Sequence, residues 1–185
     1  MDRRKKRTEK AIVGAFSELI CEKDYSEISI KDVIDRADVA RATFYDHYKN
    51  KEDVLRAISG GIFAHVNAAT LSAEKHHDFS HEPDFFHRIV HLLCHLYEDK
   101  GVIRGILSSE SHDIFLSDLD THLDGTFFIG CALPDLPSVP EKIVKNHVVT
   151  SLKELILWWF KEDGCAVPPE ELAEYYFALL GMERR

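Results

Sequence analysis

The sequence predicts an all-α protein in two parts, a three-helix head at the N-terminus and a larger helical body. Apolar residues recur three and four positions apart along most of the 185 residues, which is the spacing of one helix face. No stretch keeps up the alternation of apolar and polar residues that a strand requires. Glycine, proline and polar clusters divide the chain into about nine helices. We expect domains at 1–56 and 57–185.

The stretch from Ser29 to Lys51 has the pattern of two short helices joined by a tight turn, followed by the start of a third. Ser29 is an N-cap residue, and Asp32 stands three positions later as its capping-box partner. Asp38 interrupts the helical spacing and tolerates the left-handed conformation that a tight turn needs. Ala40 then begins the second helix without a polar cap, and Asn50 caps the next one.

A helix over residues 8–22 completes the head, because two helices this short bury little surface alone. Its apolar face has five members, Ile12, Ala15, Phe16, Leu19 and Ile20. Tyr25 and Ile28, in the link over residues 23–28, and Phe44, in the second short helix, are expected in the same core.

The body is expected to be a further set of amphipathic helices. They are predicted over residues 51–74, 85–98, 102–107, 112–131, 141–160 and 170–180. Gly60 and Gly61 interrupt the first of these, which indicates either close packing against a neighbouring helix or a soft joint between head and body. The candidates for the body core, or for the wall of a ligand pocket, include five phenylalanines, Phe85, Phe86, Phe115, Phe127 and Phe128.

Charge is divided unevenly between the two parts. Residues 1–56 hold 13 Lys or Arg against 12 Asp or Glu, whereas the remainder holds 10 against 20. Five consecutive basic residues, Arg3 to Arg7, precede the first predicted helix. A near-neutral head with a basic end, attached to an acidic body, indicates that the head alone meets a polyanion.

The targeting and cysteine patterns are those expected of a cytoplasmic protein. The basic start runs into an amphipathic helix, so no signal peptide is predicted. The densest apolar run, 155–160, is far shorter than the ~20 residues that span a bilayer. Cys21, Cys94, Cys131 and Cys165 show no C-x-x-C spacing, so neither a disulfide framework nor a zinc ribbon is predicted. No cofactor is expected.

Taken together, these features resemble the DNA-binding domain of the TetR family of transcriptional regulators. The matching residues span 8–58: Ile12, Ala15, Phe16, the link from Tyr25 to Ile28, the start from Ser29 to Val33, the turn from Ala37 to Val39, Thr43, Phe44, Tyr45, Tyr48 and the start from Asn50 to Glu52. The chain departs from the family pattern at Asp38, where glycine is usual, and at Ala40, where serine or threonine usually caps the recognition helix.

A helix-turn-helix places its second helix in the major groove, where base edges are distinguishable. That helix covers about residues 40–47, and Arg41 is the candidate for bidentate contact with guanine, with Ala42 and Thr43 beside thymine methyl groups. The resemblance implies that four further residues lie near the DNA backbone, Tyr45, His47, Tyr48 and Lys51. Ser29, at a helix N-terminus, is a further candidate phosphate anchor.

One such helix reads few base pairs, so two heads on a near-palindromic operator are expected. The helices 141–160 and 170–180 carry more apolar faces than one core needs, which favours a homodimer interface, and the resemblance implies the same. The resemblance also implies a small-molecule effector, whose identity the sequence does not give. We expect a repressor, with an activator of the same fold as an alternative.

Histidines in the body raise a second alternative, a metal-responsive regulator. His87, His91 and His95 follow one another at i, i+4 and i+8 on one helix, a spacing compatible with zinc. We expect this stripe to be a solvated polar face, because it lies opposite the apolar residues of that helix. Motifs of hydrolases and nucleotide-binding enzymes are missing from the sequence, so an enzyme is not expected.

Overall fold

The computed structural model describes residues 3–69, 85–109, 112–123, 133–134 and 136–182, and every regular element in these ranges is helical. The all-α prediction is confirmed. The α-helices are α1 (Arg3–Glu22), α2 (Ile30–Ala37), α3 (Arg41–His47), α4 (Lys51–Ala69), α5 (Phe85–Glu98), α6 (Lys100–Leu107), α7 (His112–His122), α8 (Glu141–Lys161) and α9 (Pro169–Leu179). A single 3₁₀ turn, Tyr25–Glu27, lies between α1 and α2.

Most helix boundaries follow the sequence signals, and α5 begins and ends where predicted. The main difference is α1, which begins at Arg3 and not at Thr8, so the five basic residues belong to the helix. α6 begins at Lys100, two residues earlier than expected. The predicted continuations over 70–74 and 124–131 lie outside the described residues.

The chain groups into two compact units. One unit contains residues 1–61 and 101–118, and the other contains residues 62–100 and 119–185. The first unit therefore comprises the three head helices and the first half of α4, together with nearly all of α6 and most of α7. The sequence did not indicate this addition, because it depends on packing between residues far apart in the chain. The predicted functional division after residue 56 stays a prediction.

The core of the first unit is built from the apolar faces that the spacing indicated. All five apolar residues predicted for α1 are buried, and α1 packs on α2. The rings of Phe16 and Tyr25 meet edge to face with 6.1 Å between centroids. Full burial of each large apolar side chain contributes about 1.5–3 kcal/mol to stability, and this burial holds the three helices of the head together.

α6 approaches α1 at a glycine. A Cβ on Gly105 would collide with the carbonyl oxygen of Ile20 and lie 3.0 Å from the Cγ1 of the same residue, which no side chain tolerates. Gly60 and Gly61 on α4 differ, since an added Cβ would meet no atom of the described residues within 4 Å. Among the described residues, no close neighbour accounts for that glycine pair.

The second unit is organised by the packing of α5 on α9. Phe85 and Phe86 both contact Phe177, with ring centroids 5.0 and 5.1 Å apart. These two phenylalanines are thus core residues, while Phe127 and Phe128 lie outside the described residues. Phe115 is also fully buried, in the first unit. Among the described helices, none has the length and apolar character to cross a bilayer.

Candidate nucleic-acid interface

The start of α2 is fixed by a capping box, as predicted. The Asp32 backbone N–H donates to the Ser29 hydroxyl at 3.2 Å, and the Asp32 carboxylate accepts from the Ser29 N–H at 2.8 Å. The Ser29 hydroxyl also donates to that carboxylate at 2.7 Å, and Lys23 approaches it at 3.0 Å. The Ser29 N–H, the Ser29 hydroxyl and Lys23, in that order, hold the pKa of Asp32 far below its usual range.

This capping box changes the expectation for Ser29. Its hydroxyl is already committed to Asp32, and a phosphate approaching it would meet the Asp32 carboxylate. The helix N-terminus that we expected to attract phosphate already holds a carboxylate of this chain. The structure therefore does not favour Ser29 as a phosphate anchor.

The turn between α2 and α3 has the predicted conformation. Asp38 lies in the left-handed region, with φ 51° and ψ 51°, and its backbone N–H donates to the Ile34 carbonyl. Ala40 then begins α3 from an extended conformation, with no side-chain cap. At the two departures from the family pattern, the backbone thus has the conformation expected of a turn and of a helix start, left-handed at Asp38 and extended at Ala40.

Packing, not capping, fixes the orientation of α3. Phe44 is 0% exposed, and its ring lies 5.5 Å from the ring of Tyr45 and 6.1 Å from that of Tyr48. Because Phe44 must face the core, the residues on the other side of this helix face outward. Those classed as exposed are Arg41, Ala42, Tyr45 and Asp46, and those half-buried are Thr43 and His47.

Arg41 and Tyr45 lie together on this outward face. The Arg41 guanidinium is 5.6 Å from the centre of the Tyr45 ring, close enough for a cation–π contact. The planar fork of Arg41 is thereby held over an aromatic surface at the N-terminal end of α3. Arg41, Ala42 and Tyr45 thus form an exposed row on the side of α3 that faces away from the core.

Tyr48 is not part of this exposed row. Its side chain is 7% exposed, and its hydroxyl is buried with no hydrogen-bond partner among the described residues. Burial, with a smaller contribution from the Glu9 carboxylate, raises the pKa of Tyr48 to about 12. The structure therefore gives no support to a side-chain contact between Tyr48 and the DNA backbone, because the only polar atom of that side chain is inside the head.

Lys51 also has an internal role that the sequence did not indicate. Its ammonium donates to the carbonyl of Tyr25 at 2.8 Å and to that of Ile28 at 3.3 Å. It also lies 4.0 Å from the centre of the Tyr25 ring. Lys51 thus joins the start of α4 to the link between α1 and α2, so any contact with phosphate would compete with these interactions.

In the second unit, the structure corrects the expectation for the histidine stripe. His91 is 3% exposed, not solvated, and its Nε2 lies 2.9 Å from the Nε2 of His95. The Nδ1 of His95 faces Glu98 at 3.2 Å, whereas His87 is exposed. Among the described residues, no group of three or more His, Cys, Asp or Glu side chains could hold a metal ion. The geometry gives no support to the metal-responsive alternative.

Comparisons with known proteins show which family the chain resembles. Residues 12–58 match the family model described as bacterial regulatory proteins, tetR family. A crystal structure of a TetR transcriptional regulator from Streptococcus agalactiae matches 99% of this chain and 97% of its own, with a TM-score of 0.69 and 28% identity. The N-terminal head therefore matches the tetR family of bacterial regulatory proteins, and the chain as a whole is similar in fold to a TetR transcriptional regulator. A TetR-family structure from Syntrophomonas wolfei shares the fold, with a TM-score of 0.65 and 17% identity.

Two curated relatives are HTH-type transcriptional regulators. The HTH-type transcriptional regulator YxbF of Bacillus subtilis is 26% identical over all 185 residues, which correspond to 47% of that protein. The dhaKLM operon transcriptional activator DhaS of Lactococcus lactis is 36% identical over 59 residues, 32% of each chain. The chain thus spans about half the length of the first relative and matches a third of the second.

Proposed function

We propose that this TetR-family regulator binds a near-palindromic DNA operator as a homodimer, reading base edges with α3. The observation that carries the proposal is the division of α3 into two faces. Phe44 is fully buried, while Arg41, Ala42 and Tyr45 stand exposed on the other side. A short helix that is anchored on one face and open on the other can enter a major groove.

Within this face, the residues have different roles. Arg41 reads guanine through its fork, Ala42 and Thr43 contact thymine methyl groups, and Tyr45 and His47 contact the backbone. We exclude Ser29 and Tyr48 from the contact set, because one is committed to Asp32 and the other is buried. Lys51 contributes mainly by holding the head together.

The homodimer is supported by apolar side chains left exposed on α8 and α9. Large apolar residues in the described part of the chain are mostly buried, but these two helices expose Ile143, Trp158, Tyr175 and Leu179. Leu179 is 77% exposed, and a partner surface that covered it would remove this apolar area from water. Replacing Leu179 and Tyr175 with Asp should convert a dimer to a monomer, as measured by light scattering. An unchanged dimer would place the interface elsewhere.

The sign of regulation is proposed to be repression, controlled by a small-molecule effector bound in the body. An effector can release the operator only if it binds one arrangement of the two heads more tightly than the other. Activation is the alternative, favoured by the likeness to DhaS, which is named an activator. A reporter gene placed behind the operator distinguishes the two, since loss of the protein raises expression under repression and lowers it under activation.

The deciding experiment is selection of genomic fragments by the purified protein near physiological salt, followed by affinity measurements on the enriched site. Arg41→Ala should reduce the ratio of operator to scrambled-site affinity by about 5- to 150-fold, the equivalent of about 1–3 kcal/mol for one bidentate contact. Lys161→Ala removes one exposed positive charge outside the head and is the matched control. No enrichment of any site, or an equal loss on both DNAs for Arg41→Ala, would contradict the proposed reading of bases.

A further inference from the structure

The first turns of α1 carry an unusual concentration of positive charge. Arg3 to Arg7 are five consecutive basic residues, all of them exposed. The first turn of α1 contains no acidic residue. This arrangement opposes helix formation, because cations are unfavourable at the positive end of the helix dipole and like charges three and four residues apart repel each other.

Two other cations of the head, Arg36 and Lys23, are paired with carboxylates. Arg36 contacts Glu18 at 3.1 Å and Glu22 at 2.7 Å, and Lys23 contacts Asp32 at 3.0 Å. Within the described part of the chain, no carboxylate forms an ion pair with the side chains of Arg3, Lys5, Lys6 or Arg7. Carboxylates therefore neutralise Arg36 and Lys23, whereas Arg3, Lys5, Lys6 and Arg7 have no carboxylate partner among the described residues.

Without this segment the rest of the head would repel DNA. Residues 8–56 hold eight Lys or Arg against eleven Asp or Glu, a net charge of −3. A negatively charged head must overcome repulsion from the phosphate backbone before α3 can reach a groove. The five basic residues reverse that sign.

The segment also lies close to the C-terminal end of α3. Glu9, two residues after Arg7, is near enough to the Tyr48 hydroxyl to act electrostatically on it. Tyr48 directly follows α3. Glu9 thus lies near the residue that ends α3, and we expect a duplex seated on α3 to bring its flanking backbone toward the basic residues that precede Glu9.

We propose that Arg3 to Arg7 form a phosphate-binding arm, which contacts the DNA backbone flanking the operator and supplies most of the sequence-independent affinity. This inference rests on the proposed function and adds a surface that lies outside the helix-turn-helix. Phosphates supply Arg3, Lys5, Lys6 and Arg7 with the anionic partners that the described residues do not give them, so the first turns of α1 become more stable on DNA than in the free protein. The arm carries affinity and salt dependence, while α3 carries base preference.

The test compares two triple variants with the same change in net charge. The arm variant is Lys5→Gln, Lys6→Gln and Arg7→Gln, and the control is Lys100→Gln, Lys142→Gln and Lys161→Gln. Removing one cation that neutralises a phosphate should reduce the slope of log affinity against log salt by about 0.9, hence by up to about 5 for the six cations of a dimer. The arm variant should bind at least about 10-fold more weakly at physiological salt, on operator and scrambled DNA alike.

A charge-retaining variant, Lys5→Arg, Lys6→Arg and Arg7→Lys, should keep the wild-type salt slope. Circular dichroism should show that all variants remain folded, and light scattering should show that their oligomeric mass is unchanged. Equal slopes for the arm and control variants would overturn the proposal. A selective loss on the operator alone would also overturn it, since the arm would then read bases. Failure of the wild-type protein to prefer any genomic site would instead count against the proposed function, while the slopes on non-specific DNA would still test the arm.

Discussion

α2 and α3 are neighbours in one motif, yet their positions are determined in different ways. α2 begins with a complete capping box in which Ser29 and Asp32 satisfy each other's backbone groups. α3 begins at Ala40, which offers no cap, and is held in place by Phe44 in the core. The comparison shows that the start of α2 is specified by residues close in the chain, while α3, the helix proposed to meet DNA, is specified by its buried face. Its first backbone N–H groups are therefore left without a side-chain cap.

The strongest test of this difference is removal of the anchor of α3. Phe44→Ala should lower the free energy of unfolding by about 3–5 kcal/mol, because it removes a large, fully buried side chain and leaves a cavity. Chemical denaturation at fixed protein concentration measures the loss. Tyr45→Ala, at a neighbouring position that is 44% exposed, is the matched control and should change stability by about 0.5 kcal/mol or less. A loss below about 1 kcal/mol for Phe44→Ala would mean that α3 is not held by its core residue.

The second test removes the cap of α2. Ser29→Ala should cost about 1 kcal/mol, the usual contribution of an N-cap side chain. If the capping box defines where α2 starts, hydrogen exchange should speed up at the first residues of α2 and stay unchanged in α3. Equal acceleration in both helices would show that they depend on a shared determinant.

The third test gives α3 the cap that it lacks. Ala40→Ser should raise the free energy of unfolding by about 0.5–1 kcal/mol, because the extended backbone at this position suits an N-cap hydroxyl. The same substitution two residues later, Ala42→Ser, lies inside the helix and should lower stability by a few tenths of a kcal/mol, about the difference in helix propensity. If both variants behave alike, the N-terminus of α3 does not use a cap in this fold.

The smallest effect is a pH dependence carried by Asp32. Its pKa is held below the usual range in the folded protein, so its stabilising effect is present at neutral pH and is lost as the pH falls below about 4. The difference in unfolding free energy between the wild-type protein and Asp32→Asn should therefore shrink between pH 6 and pH 3. A difference that stays constant over that interval would mean that the Asp32 charge does not contribute.

The sequence predicted those features whose partners are close in the chain. Ser29 and Asp32 are three residues apart, and the Asn50 side chain accepts from the Asp53 N–H at 2.9 Å over the same spacing. Asp38 needs no partner, because its own short polar side chain tolerates the turn. The helical fold follows in the same way from spacing within each helix.

The features that the sequence did not predict depend on packing between distant residues. Lys51 reaches carbonyl groups 23 and 26 residues earlier in the chain, so neither its internal role nor the burial of the Tyr48 hydroxyl could be inferred from local pattern. His91 occupies a position that helical spacing assigned to the polar face, yet it is 3% exposed in the folded protein. For the candidate interface, the outward residues of α3 followed from Phe44. The bond from the Ser29 hydroxyl to Asp32 and the burial of the Tyr48 hydroxyl became visible only in the folded structure.

The close approach of α6 to α1 has a consequence for how this chain can vary. A library of all single substitutions at position 105, selected for an intact fold, should return glycine alone, because even a methyl group would collide with the main chain at Ile20. Positions 60 and 61 have open space around them and should accept alanine freely. Among these three glycines, only Gly105 is then expected to be invariant, and it lies outside the helix-turn-helix.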